Sequence, residues 1–239
     1  MRIAMWSGPR NLSTAMMYSF AARSDCAVID APFYAAFLAR TGLPHPMRDE
    51  ILTAHSTDTA DISATLTGSI PGGKAHFYQK HMCHHMVDGV TRDWMNEVTH
   101  VFLIRHPARV IASYAAKHET PSMDEIGVAL QARMFEDLCK TGPAPLVIDS
   151  ADIRAAPEPM LRALCDALGL LWDPAMLSWP AGGHEADGVW AKHWYGAVHL
   201  STGFAGAEGP LPRLDGAQAD LLDRTLPYFQ DLKTHALRV

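Results

Sequence analysis

The stretch Arg2 to Phe20, RIAMWSGPRNLSTAMMYSF, constrains this chain most. An apolar run, Ile3 to Trp6, stops at Ser7-Gly8-Pro9. Arg10, Asn11, Ser13 and Thr14 follow, then a helix-favouring run, Ala15 to Arg23. The pattern predicts a buried strand, a tight turn and a helix with a polar first turn. A helix start offers backbone N–H groups without internal partners at the positive end of the helix dipole, and so suits an anion, phosphate above all. Gly8 admits backbone conformations that other residues resist. Ser13 and Thr14 add hydroxyl donors, and Arg10 adds a fixed charge on a planar fork. An ordinary capped strand-turn-helix fits the same pattern. The stretch is not a Walker A loop, because Leu12-Ser13-Thr14 stands where that motif has Gly-Lys-Ser/Thr.

The 239 residues suit one large domain, read as 1–239. With 48% hydrophobic and 19% charged residues, a sizeable core is expected. The net charge of −6 argues against a general binder of nucleic acid or anionic membrane, so any anion site is local. No apolar run approaches the ~20 residues of a membrane span, and neither that nor a signal peptide is expected. Cys26, Cys83, Cys139 and Cys165 are scattered and do not read as a disulfide framework, which points to a reducing cytoplasm.

Further strand ends followed by helices suggest βα units around a parallel sheet. Cys26 to Ile29 ends at Asp30-Ala31-Pro32 and leads into a predicted helix, Phe33 to Arg40. Asp30 lies at the sheet edge where open α/β folds bind ligands, or else caps the following helix. Thr41 to Gly73 is punctuated by Pro and Gly around two short helical pieces, Met47 to Ala54 and Thr59 to Leu66. It is read as an excursion over a substrate pocket or an ordinary surface segment. Ala75 to Gln79 predicts a strand running into Lys80-His81-Met82-Cys83-His84-His85. That cluster invites a metal, but zinc usually needs a second ligand segment, and His100, His106 and His118 are single. The more useful reading is acid–base chemistry at a strand end.

Val87 to Asn96 predicts a helix, and Val98 to Ile104 is the strongest strand in the chain. It ends in Arg105-His106-Pro107, with Pro107 suited to the first turn of a helix continuing to Lys117. An arginine at such an edge is costly to bury without an anion, whether a ligand or a carboxylate such as Asp30. Met123 to Lys140 predicts one long amphipathic helix. Leu146 to Ile148 is a short strand, and Pro157 to Leu168 is a helix stopped by Gly169. Gly182 to Gly209 is irregular but holds Trp190, Trp194, Tyr195 and Phe204, and could close over a planar ring or serve as a pinned surface loop. Asp215 to His235 is a packing helix with Pro227 inside it.

Three stretches together resemble the sulfotransferase family, enzymes that use 3′-phosphoadenosine-5′-phosphosulfate (PAPS) and release 3′-phosphoadenosine 5′-phosphate (PAP). Ser7-Gly8-Pro9-Arg10-Asn11-Leu12-Ser13-Thr14 is similar to that family's phosphosulfate loop, a P-loop relative. Arg105-His106-Pro107, five residues and Ser113 match its 3′-phosphate motif. Asp152-Ile153, Ala156-Pro157-Glu158 and Leu168-Gly169-Leu170 resemble its segment after the next strand. The resemblance implies a P-loop-type central parallel sheet with helices on both faces, in one domain.

It also implies roles. Gly8 to Thr14 would hold the 5′-phosphosulfate. Arg105 and Ser113 would hold the 3′-phosphate, and Ser201-Thr202-Gly203 or Lys192 would stand in for a late nucleotide loop. Lys80 would stabilise the leaving bridging oxygen. A base, His81 or His84 with Asp30 and His85 behind them, would take the proton of a small hydroxyl or amine acceptor. Transfer of this kind is a loose in-line displacement, served mainly by positioning and electrostatics, and requires no metal. The chain departs from the family pattern at Leu12, where Gly is usual, at Ala31, where some relatives have an acid, and at Ser150-Ala151, where Tyr-Glu is frequent. These departures keep a non-catalytic nucleotide-binding protein in view, and a small-molecule kinase of the P-loop group more distantly.

Overall fold

The computed structural model describes residues 1–116 and 121–239. Five parallel strands make one sheet in the order β2-β3-β1-β4-β5. They are β1 (Arg2–Ser7), β2 (Cys26–Asp30), β3 (His76–Met82), β4 (Thr99–Ile104) and β5 (Leu146–Asp149). β1 is buried from Ile3 to Ser7 and β4 from Val101 to Ile104, and strands covered on both faces read as continuous apolar runs. The expected α/β class is therefore the observed one. The first turn of the chain leaves the middle strand of the sheet.

By contacts the chain divides into two compact units. The first comprises Met1–Met5, Ser13–His100 and Ala175–Gly203; the second comprises Trp6–Leu12, Val101–Pro174 and Phe204–Val239. In the first unit lie the helices α1 (Ser13–Ala21), α2 (Tyr34–Thr41), α3 (Arg48–Ala54) and α4 (Thr59–Thr67). Its core joins Ala31, Tyr34, Phe37, Leu38 and Ile51 to Trp190 and Tyr195 from the late segment. In the second unit lie α5 (Pro107–Ala115), α6 (Met123–Ile126), α7 (Val128–Thr141), α8 (Ser150–Ala155) and α9 (Pro157–Leu168). Two single-turn helices, α10 (Ala191–Trp194) and α11 (Gly196–His199), belong to the first unit, and α12 (Gly216–Thr234) closes the second. α12 runs through Pro227 and packs on α7 and α5. After it, Leu237 N–H donates to Val147 O at 2.8 Å.

Three expected elements differ. Val87 to Asn96 is not an α-helix: only a short 3₁₀ turn, Asp93–Glu97, forms there, with Gly89 at φ 80°. Its apolar residues Val90, Trp94 and Met95 are buried all the same, so apolar spacing alone misled. The single helix expected over Met123 to Lys140 is two helices, because Gly127 at φ 73° ends α6 and precedes α7. A left-handed residue cannot continue a right-handed helix. Gly182 to Gly209 is less irregular than expected, since it contains α10 and α11. α5 is described to Ala115; Lys117, where its end was expected, and His118 lie outside the described residues.

Candidate functional site

In the second unit the turn after β1 meets the Arg105 motif. Residues 8–12 carry no regular structure. Gly8 is required by close approach: a Cβ there would stand 2.7 Å from Ile126 O. Asn11 Nδ2 donates to Leu103 O at 2.9 Å, tying the loop to β4, and its Oδ1 accepts from Leu12 N at 2.7 Å. Buried Gln131 of α7 donates to both Trp6 O (3.1 Å) and Leu103 O (3.0 Å). Arg10 is left-handed at φ 54°, a conformation that costs a non-glycine residue about 1 kcal/mol or more. Its carbonyl accepts from Arg105 Nη1, and its own Nε donates to Ser113 Oγ at 2.8 Å. Leu12 is not among the positive-φ residues, so the backbone there does not need the family's glycine.

The carboxylate that Arg105 meets is Glu208, not Asp30. Glu208 Oε1 accepts from Arg105 Nη2 at 2.6 Å and Arg154 Nη1 at 2.8 Å, and its Oε2 pairs with Arg109 Nε at 2.8 Å. Its side chain is 4% exposed. Burial pushes its carboxyl up, but the hydrogen bond and charge of Arg105, with the charges of Arg109 and Arg154, hold it below the ordinary value. Sequence reasoning missed Glu208, Arg109 and Arg154. The available signal was the Arg105/Arg109 spacing, one helical turn apart; nothing in the sequence marked Glu208, about a hundred residues away, as their partner. Asp149, the N-cap of α8, pairs with Lys233 at 2.8 Å, and Asp152 pairs with it at 2.6 Å.

In the first unit Asp30 does not cap α2, whose N-cap is Phe33 with no side-chain bond. Asp30 and Lys80 are register partners across β2 and β3, with Nζ to Oδ1 at 2.7 Å. Asp30 also accepts from Tyr195 Oη (2.7 Å), Trp190 Nε1 (3.0 Å) and Gly188 N (3.2 Å). Lys80 donates to Tyr195 Oη at 2.9 Å. Burial and Asp30 drive the Tyr195 hydroxyl far above its ordinary pKa, and Thr14 lies within hydrogen-bonding reach of it. Trp190 and Tyr195 are thus part of this buried cluster and core, rather than an exposed platform.

The histidines part company. Successive strand residues point to opposite faces. His81 packs with Phe33 and Trp94 and has Nε2 3.3 Å from Gln79 Oε1, whereas Lys80 joins Asp30. His85 stacks against both Tyr34 and Phe37, ring centroids 4.7 and 4.9 Å away. Burial depresses the pKa of both well below the ordinary value, so both are neutral. His84 is half-buried, with its ring edge-on to Phe37. Ser201 Oγ donates to Val198 O at 2.7 Å and accepts from Trp179 Nε1 at 3.2 Å. Thr202 O accepts from Trp179 N, and Gly203 bridges to Ser178. These three residues lie in the first unit, whereas Arg105 and Ser113 lie in the second. Among the described residues no group of three or more His, Cys, Asp or Glu is placed to hold a metal, and no helix is long and apolar enough to cross a membrane.

A family model described as "Sulfotransferase domain" matches residues 1–236, and the chain belongs to that family. Among solved structures it resembles the sulfotransferase domain from the curacin biosynthetic pathway, at TM-score 0.57 and 16% identity over 95% of this chain and 97% of that one. It also resembles a sulfotransferase from Alicyclobacillus acidocaldarius, at TM-score 0.55 and 9% identity over 99% and 96%. At such identities the likeness is one of fold. In sequence it is 39% identical over 234 residues to Branched-chain-amino-acid aminotransferase-like protein 1 of Arabidopsis thaliana, which is 98% of this chain and 42% of the relative. Protein 2 of that name is 37% identical over 233 residues, 98% and 41%. The chain therefore spans less than half the length of these curated relatives.

Proposed function

We propose that this chain binds PAPS and transfers its sulfuryl group to a hydroxyl or amine of a small acceptor. One observation carries the reading. Two motifs about a hundred residues apart, the 7–14 loop and Arg105…Ser113, meet through Arg10, which bonds Ser113 with its guanidinium and Arg105 with its carbonyl. Such a meeting suits a ligand with phosphate groups at two places. The residues present fit it: arginine forks and hydroxyls match phosphate oxygens, and α1 has no acidic residue in its first turn to oppose an anion.

PAPS would supply an activated sulfuryl group. Gly8 to Thr14 would hold the 5′ side, and Arg105 and Ser113 the 3′-phosphate. An ammonium has three donors; Asp30 and Tyr195 take two from Lys80, and the third would serve the leaving oxygen. Of the clustered histidines, His84 is the one not sealed in the core, and it is our choice to accept the acceptor's proton.

Titration calorimetry with PAP, 5′-AMP and magnesium-ATP tests the binding step. Micromolar PAP with AMP weaker by about 2–3 kcal/mol supports it. Equal affinities, or binding only of magnesium-ATP, sink it. A second reading, nucleotide binding without turnover, is favoured by the burial of Lys80, His81 and His85, each 2–3% exposed. PAP binding without sulfate transfer to a broad panel of alcohols, phenols and amines would select it.

A further inference from the structure

Three guanidiniums converge on one carboxylate in the second unit. Arg105 follows β4, Arg109 lies in the first turn of α5, and Arg154 lies on α8. Their three charges against one leave an excess of positive charge beside Glu208, and like charges this close repel. Glu208 Oε1 accepts from both Arg105 and Arg154, whereas Oε2 lies 2.8 Å from Arg109 Nε as an ion pair without hydrogen-bond geometry, so one carboxylate does not satisfy all three forks. A phosphate monoester offers three terminal oxygens and up to two charges, one oxygen for each arginine. The residues flanking Glu208 are held by the same side chains: Gly206 O accepts from Arg154 Nε at 3.0 Å, and Gly209 O accepts from Arg109. The 204–210 segment carries no regular structure of its own, and the bridge residue Gly203 immediately precedes it. It is a strap latched to the arginines by Glu208.

We propose that Arg105, Arg109 and Arg154 form one site for a phosphate monoester dianion, and that Glu208 is its internal competitor, setting how tightly a 3′-phosphate is held. The inference rests on the reading above for the identity of the nucleotide, though not for the existence of the anion site. A dianion entering the site takes over the three guanidiniums and expels the Glu208 carboxylate to solvent, with the strap carried along. A nucleotide whose one phosphate is at the 5′ position, such as 5′-AMP, has that phosphate taken by the 7–14 loop and leaves the latch shut.

The full chain and its Glu208→Gln variant are titrated by calorimetry with PAP, 5′-AMP and inorganic phosphate, and melted with and without phosphate. Loss of the competing charge should tighten PAP about tenfold or more and leave AMP within about twofold. Phosphate should raise the melting temperature of the variant more than that of the parent. A gain for phosphate without PAP binding to either protein keeps the anion site and removes the nucleotide reading. A folded variant with unchanged or weaker affinity for both PAP and phosphate, or with equal gains for PAP and AMP, overturns the proposal. Should Glu208→Gln not fold, Arg154→Ala, which leaves Glu208 two partners, should weaken PAP and phosphate about tenfold with AMP unchanged. Unchanged affinity for both in that variant also overturns it.

Discussion

Asp30 and Lys80 face each other in register on adjacent parallel strands, 2.7 Å apart and almost wholly buried. A buried pair is weak evidence of net stabilisation, but breaking it leaves an uncompensated charge. Asp30→Asn should therefore cost about 3–5 kcal/mol in urea unfolding. Tyr195→Phe removes one neutral partner from the same cluster and should cost about 1–3 kcal/mol. Equal losses for the two variants would show that the charge is not what Asp30 supplies.

Gly8→Ala places a methyl 2.7 Å from the carbonyl oxygen of Ile126. Backbone must yield, and the change should destabilise by about 1–3 kcal/mol while weakening PAP more than a surface substitution does. Wild-type stability and wild-type PAP binding together would refute the close approach.

Arg105→Ala removes the donor to Arg10 O and one of the three partners of Glu208. PAP should weaken by about 2–3 kcal/mol and 5′-AMP little, measured by calorimetry. Equal losses would mean that Arg105 shapes the loop rather than reading the 3′-phosphate.

Glu208 titrates below the ordinary value of 4.5 in the folded protein. A depressed carboxyl contributes stability that is fully present above the unfolded value and is lost as pH falls through the folded one. The unfolding free energy should thus fall on acidification below about pH 4.5, and more steeply in the parent than in Glu208→Gln. Parallel pH profiles would show that the arginines do not hold this carboxylate in solution.

Gln131→Leu leaves the carbonyls of Trp6 and Leu103 without its amide, so it should destabilise by about 1–3 kcal/mol although the side chains are similar in size. An unchanged urea midpoint would mean that water or a shifted side chain replaces both bonds.

The strands were legible because a sheet buried on both faces writes itself as apolar runs ended by turn residues; Ile3 to Trp6 and Val98 to Ile104 were read within a residue or so. The helix ends at Gly169 and Pro157 were legible for the same local reason. Gly127 was not read as a break, because a glycine inside an amphipathic pattern reveals its φ only once neighbours fix it. The loop and the Arg105…Ser113 motif were legible singly, through residue type and spacing.

By itself, then, the sequence determined a parallel α/β protein and its two candidate phosphate-binding stretches, since both are written in local patterns of polarity, glycine and proline. Only the tertiary structure decided who partners whom. It joined Arg10 to Ser113, sealed Asp30 with Lys80, Tyr195 and Trp190, turned His81 away from Lys80, and put Glu208 among three arginines. Those are contacts between residues up to 165 positions apart, and a pairing at that range depends on strand order and register, which no local pattern encodes.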